Sequence, residues 1–185
     1  MKRRGLSIRV LTLEQFPDIP PVVEGHSTLK ENAIKKAVEV SKHTILPVLA
    51  DDSGLEVKAL KGKPGVRSAR FARSTRPDPH RPQDTLNIAK LLRAMRAIPP
   101  KQRKARFVCW LAFAAGGRLI RFFEGRCEGQ IASSPQGSTG FGYDPVFIPR
   151  GDAKTLAQLG SRRKDALSHR ARAIKKFHGW LRRSV

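Results

Sequence analysis

The sequence predicts an α/β fold, with a mixed sheet flanked by helices. Three observations carry that expectation. Apolar stretches of strand-like length alternate along the chain with segments of helical periodicity. Two of the strand-like stretches, 107–115 and 119–124, meet through Gly116-Gly117 and read as a β-hairpin. No repeat, low-complexity tract or clean linker divides the 185 residues, so 1–185 is expected to form a single domain.

The elements follow in order. Residues 6–10 alternate weakly, as a strand would, and 17–21 form a loop. Thr28-x-x-Glu31 is a capping box for a helix reaching about residue 43. Leu29, Ala33, Ile34, Ala37 and Val38 make its apolar stripe, leaving Lys35, Lys36 and Lys42 for the wet face. A strand over 45–50 is then expected to end in a tight turn carrying Asp51, Asp52, Ser53 and Gly54, before a second strand over 55–60. Gly62-Lys63-Pro64-Gly65 is a turn, and the polar, proline-rich stretch 75–82 is a loop. Leu86, Ile88, Leu91, Leu92 and Met95 mark a helix over 83–97 that Pro99-Pro100 stops. After the hairpin, a Gly- and Ser-rich connection over 133–142 leads into Phe141-Gly-Tyr-Asp-Pro-Val-Phe147. A last helix over 163–183 buries Leu167, Ala171, Ile174, Phe177 and Leu181.

Composition narrows the function. The chain has 37 basic and 15 acidic residues, a net charge of +22. No acid occurs between Thr85 and Phe123, and beyond Ala153 only Asp165 opposes ten Lys and Arg. Such a surface attracts polyanions, nucleic acid among them, but dispersed cations with few interleaved aromatics equally describe a solvated basic surface. Cys109 and Cys127 are the only thiols, too few for a zinc motif. No stretch approaches the ~20 apolar residues of a membrane span and the start has no signal-peptide core, so a cytoplasmic location is expected.

Three clusters of residues carry chemistry. Two adjacent carboxylates, Asp51 and Asp52, in a chain so rich in cations repel one another unless a proton, an arginine or a divalent metal relieves them. A hard cation such as Mg²⁺ takes one or two carboxylates and completes its shell with water and phosphate oxygens, which points to phosphate chemistry, with Glu24 upstream as a further donor. In the second cluster, Gly-rich backbone approaches a ligand closely while Phe141 or Tyr143 stacks on a base; a mobile connection with packed aromatics would look the same. In the third, Lys164-x-x-x-Ser168-His169-Arg170, four-residue spacing puts Lys164 and Ser168 on one helical face and turns His169 and Arg170 away. These cations suit phosphate or a purine carbonyl edge, although a helix with Lys, His and Arg is commonly a solvated face.

Taken together, ADDSGLEV at 50–57, PGVRSARFA at 64–72, FGYDPVF at 141–147 and K-x-x-x-SHR at 164–170 occur in an order that resembles the inosine-triphosphate pyrophosphatase family. ENA at 31–33 and RFVC at 106–109 extend the likeness from about Glu24 to the last helix. The resemblance implies a two-lobed fold with an elongated mixed central sheet, and a homodimer. It implies Mg²⁺-dependent hydrolysis of inosine, deoxyinosine and xanthosine triphosphates to the monophosphate and pyrophosphate. By the same resemblance Asp52 is the catalytic base and a metal ligand, Asp51 and Glu24 support the metal, and Ser53 touches substrate. Phe141 stacks on the purine, Gly142, Tyr143 and Asp144 shape its pocket, and Lys164, His169 and Arg170 read its 6-oxo edge. The family opens with a strand, a Thr/Ser-x-Asn-x-x-Lys loop and a helix; by the resemblance Met1 falls within that helix and Met1-Lys-Arg-Arg4 does not restore the loop, so the sheet is expected without its usual first strand. Lys58, where the family often has an acid, is a smaller departure. The alternative expectation is a truncated, catalytically impaired relative that serves as a basic nucleotide- or nucleic-acid-binding protein. Its binding would weaken steeply with salt.

Overall fold

A computed structural model of the chain describes residues 8–72 and 82–184. Its elements run α1 (Leu29–Val40), β1 (Val48–Val57), α2 (Gln83–Ala94), β2 (Lys104–Ala115), β3 (Arg118–Ile131), β4 (Phe147–Pro149), α3 (Ser161–Leu167) and α4 (His169–Ser184). The four strands form one sheet in the order β1-β2-β3-β4, and every described pairing is antiparallel. Residues 8–10 of the first expected strand have no regular structure; 6 and 7, like 75–81 of the expected loop, lie outside the described residues.

Thr28 starts α1 as expected. Its hydroxyl oxygen accepts the Glu31 N–H at 3.1 Å, and its O–H donates to the Glu31 carboxylate at 2.8 Å. The helix stops at Val40, with 41–43 in a turn rather than in its last turn.

The expected turn at the acidic pair is corrected. β1 runs unbroken through it, with Asp51 opposite Leu111, Asp52 opposite Trp110 and Ser53 opposite Cys109. Pairing with β2 satisfies the backbone there, and cations on both sides of the sheet compensate the carboxylates. Nothing then forces the chain to bend. The expected second strand ends at Val57, where a short 3-10 turn (Lys58–Leu60) replaces its last residues.

Gly116 and Gly117 close the β2–β3 hairpin with φ of 54° and 75°, left-handed values that favour glycine at both positions. Both strands are longer than expected. Glu124, Arg126 and Glu128 alternate with buried Phe123 and Cys127, but the intervening Gly125 and Gly129 interrupt the apolar pattern in the sequence. The expected closing helix is also corrected, because it is two helices. Ser168 is extended (φ −54°, ψ 134°), its carbonyl accepts the Arg172 N–H at 3.1 Å, and α4 restarts immediately after it.

Side-chain alternation along the strands separates two packed faces. On one, α1 lays Ala33 and Ala37 against Ala112 and Ala114, flanked by Ala50 and Trp110. On the other, α4 packs Ala173 and Phe177 on Cys109, Leu111 and Phe123. A larger cluster gathers Leu55, Val57, Leu91, Met95, Phe107 and Phe147. Buried Arg103 fastens its edge by donating to the carbonyls of Met95, Ile98 and Ala132 at 2.8, 2.9 and 3.0 Å.

Gly125 lets α4 begin directly on β3, since a Cβ there would overlap the His169 carbonyl and the Ala173 nitrogen. Gly125→Ala is therefore expected to destabilise the protein by about 1–3 kcal/mol. Gly25→Ala, outside any helix or strand and where a Cβ meets nothing within 4 Å, is expected to be near neutral. Urea denaturation of both variants checks the contrast.

Candidate active site

The two acids of β1 belong to opposite faces of the sheet, as neighbours in a strand must. Asp52 faces α1. Lys36 of that helix places its Nζ 3.3 Å from Asp52 Oδ1 and 3.3 Å from Glu24 Oε1, so one ammonium bridges the two carboxylates. Arg70 approaches Glu24 at 4.0 Å and, with Arg67, His26 and Ser27, lines a cavity of about 540 Å³ beside it. Buried Asn32 holds the entry to α1 by accepting the His26 N–H at 3.1 Å. Burial raises the pKa of Asp52 and the Glu24 charge adds to the rise, while Lys36 and Asn32 pull it back. The result is a carboxylate more basic than usual, held next to a cation.

Asp51 faces α4. Its Oδ2 receives Arg170 Nη2 at 2.9 Å, Arg170 Nε at 3.2 Å and the Ser53 hydroxyl at 3.0 Å. The expectation that Asp51 and Asp52 sit together at the mouth of a turn is thus corrected: the sheet itself lies between their carboxylates.

Ser53, Lys164, His169 and Arg170 line a cavity of about 500 Å³ whose wall also includes Phe141, Gly142, Tyr143 and Asp144. The helix break at Ser168 makes this convergence possible. On one continuous helix His169 and Arg170 would turn away from Lys164; with Ser168 extended, all three reach the cavity. Lys164 Nζ lies 2.5 Å from buried Asp144 and 4.7 Å from the centre of the Phe141 ring. Asp144 also accepts the Phe141 N–H at 3.0 Å, and Asp84 of α2 accepts that of Gly142 at 2.6 Å. Phe141 is thereby held from its backbone while the residue stays 64% exposed. Tyr143 is buried, its hydroxyl donates to the Ser68 carbonyl at 2.9 Å, and burial pushes its pKa up. His169 stacks on Phe107 with ring centres 5.0 Å apart and planes 11° from parallel. Burial pushes its imidazole down to about 4, helped by the Arg170 and Lys164 charges and opposed by Asp51. His169 is therefore neutral near pH 7.

Lys36 and Asp84 were not among the expected site residues. Lys36 reads as a wet-face lysine of α1, although its four-residue spacing from Asn32 puts both on one side of the helix. Asp84 reads as an ordinary first-turn acid, and nothing local ties it to a glycine 58 residues later.

Among the described residues no three His, Cys, Asp or Glu side chains converge as a metal cluster. Glu24 and Asp52 do offer paired oxygen donors with a cation already between them, the Lys36 ammonium. Two carboxylates suit a hard divalent ion that keeps water and phosphate in its other positions.

An exposed aromatic ring, a neutral imidazole and two long cations around one cavity, backed by a carboxylate pair across the edge strand, make an α/β site suited to a flat ring and to anionic groups. The chain belongs to the Ham1 family, whose profile matches residues 2–180. It is 47% identical over 175 residues to the dITP/XTP pyrophosphatase of Geobacillus kaustophilus, covering 95% of this chain and 82% of that one. The dITP/XTP pyrophosphatase of Geobacter sulfurreducens is 44% identical over 179 residues, covering 95% and 87%. Among solved structures, a HAM1 protein from Coxiella burnetii matches with a TM-score of 0.85 and 37% identity, covering 97% of this chain and 88% of that one.

The His169 environment sets a pH dependence. Between its free value of 6.5 and about 4, the unfolded chain binds a proton that the native state does not. Stability is therefore expected to be fully present above that window and to fall as pH drops through it, by on the order of 2–3 kcal/mol. Urea midpoints measured at pH 7, 5.5 and 4.5 check this, and His169→Gln should flatten the slope.

Proposed function

We propose that this protein hydrolyses non-standard purine nucleoside triphosphates, namely inosine, deoxyinosine and xanthosine triphosphates, to the nucleoside monophosphate and pyrophosphate. The observation that carries the reading is the convergence of Phe141, Lys164, His169 and Arg170 on one cavity beside the strand that bears Asp52. The names of the relatives, dITP/XTP pyrophosphatases, agree with it.

The base half follows from donor and acceptor patterns. Phe141 presents an open ring face for a purine to stack on. Lys164 and Arg170 are each tied to one carboxylate, and each keeps N–H groups to spare. Neutral His169 supplies one further donor and one acceptor. Donors aimed at position 6 pair with the carbonyl of hypoxanthine or xanthine and leave the amino group of adenine facing another donor. A mismatched buried group of this kind costs about 1–3 kcal/mol, enough for useful discrimination.

The phosphate half lies with Asp52, Glu24 and Lys36. Asp52, with its raised pKa, takes a proton from the attacking water as the water oxygen bonds to the α-phosphorus. The bond from that phosphorus to the bridging oxygen breaks, and pyrophosphate leaves with the electron pair. Lys36 holds the two carboxylates in register and offers positive charge to the phosphates. Glu24 and Asp52 are the residues that would hold Mg²⁺, which when bound offsets phosphate charge. Among the described residues no helix is long and apolar enough to cross a membrane. We place the protein in the cytoplasm, with the nucleotide pool, and as a homodimer.

Pyrophosphate release from inosine triphosphate and ATP, with and without Mg²⁺, tests the reading. Metal-dependent turnover that favours inosine triphosphate is expected. Asp52→Asn should lower kcat about 10²–10⁴-fold, and Phe141→Ala should act mainly on KM. A folded protein without turnover would sink the proposal.

A further inference from the structure

We propose that Asp51 is a positioning residue for the base cavity and not a metal ligand: its carboxylate fixes Arg170 and Ser53 while Asp52, one residue on, serves the phosphate side. The inference rests on the function proposed above and divides its labour within β1.

The contacts fall cleanly into two sets. Asp52 meets Lys36, which also bridges to Glu24, on the α1 face. Every side-chain partner of Asp51 lies on the α4 face: Arg170 at 2.9 and 3.2 Å, Ser53 at 3.0 Å, and the Cys109 sulfur at 3.8 Å. All of them converge on the same oxygen, Oδ2. Strand alternation fixes this division, because bringing both carboxylates to one metal requires breaking the β1–β2 ladder.

Arg170 and Ser53 line the cavity and Asp51 does not, so Asp51 acts through them. Among the described residues Asp51 is the one carboxylate paired with Arg170, and it grips both Nε and Nη2. That grip orients the guanidinium plane before any ligand arrives and leaves its remaining N–H groups free. The Ser53 hydroxyl spends its proton on Asp51 and so presents its lone pairs to the cavity. A long, flexible arginine at the start of α4 thus becomes a preorganised donor, which raises affinity without a new contact.

The test separates base binding from metal binding without requiring turnover. Inosine monophosphate affinity is measured by calorimetry in metal-free buffer, and Mn²⁺ affinity by electron paramagnetic resonance on the free protein. Asp51→Asn is expected to weaken inosine monophosphate about tenfold and to leave Mn²⁺ affinity within about twofold. Asp52→Asn should do the reverse. In the Arg170→Met background Asp51→Asn should have little further effect on the nucleotide, a coupling that general loss of packing does not produce. Asp51→Glu, which keeps the charge and shifts it by a methylene, should fall between wild type and Asp51→Asn, and either folded variant suffices. Loss of Mn²⁺ affinity in the Asp51 variants, or undiminished nucleotide binding, would overturn the inference. A wild-type protein that binds Mn²⁺ but no inosine monophosphate would instead overturn the reading of the cavity on which it rests.

Discussion

The unbroken pairing of β1 with β2 through Asp51-Asp52 is the constraint on which the rest of the site depends. A strand forces consecutive side chains to opposite faces, so two acids that are neighbours in sequence face different helices. α1 brings Lys36 to Asp52, and α4 brings Arg170 to Asp51. A turn at this point would have left both carboxylates free to share one partner. Because the ladder continues, the Asp52 carboxylate on one face and the cavity-lining Ser53 on the other are built on one rigid strand with a fixed relation between them.

The charge balance of the chain gives these acids unusual weight. With 37 cations and 15 acids, positive charge is available everywhere and each carboxylate decides where it is gathered. Asp144 draws in Lys164 beneath Phe141, and Glu24 and Asp52 share Lys36. Exposed pairs such as Lys42–Glu39 contribute little to stability, because water and salt screen them. The partly buried ones matter through geometry: they fix long side chains in directions that a solvated surface would not.

The cavity also depends on backbone devices remote from its chemistry. Ser168 interrupts what would otherwise be one helix and so re-aims His169 and Arg170. Gly125 in β3 gives α4 room to start against the sheet, which sets the height of His169 over Phe107. Gly140 has φ of 90° and no space for a Cβ beside the Asp144 carboxylate and Lys164, so its position in the loop before Phe141 is similarly restricted. The shape of the cavity is set by these permissive residues as much as by the charged ones.

The sequence by itself determined the α/β class, though not the antiparallel pairing of every described strand, together with the α1 cap at Thr28, the β2–β3 hairpin at Gly116-Gly117 and the order of motifs that points to the family. Each of these depends on contacts a few residues apart: a hydroxyl three positions from the N–H it caps, two glycines at a turn, a stripe of helical period. Local pattern was insufficient where long-range contacts decide. The acidic pair looked like a turn because two charges after an apolar run are costly in a strand; only cations from α1 and α4, 16 and 119 residues away, make them compatible with one. The helical periodicity of 163–183 hid the break at Ser168, since apolar spacing says nothing about where a helix must bend to seat its side chains. Lys36 and Asp84 were invisible as site residues for the same reason, because their partners lie on other elements. Composition and motif fixed which groups are present. The tertiary structure decided which of them face one another, because the pleat of β1 and the packing of two helices on opposite faces set that geometry.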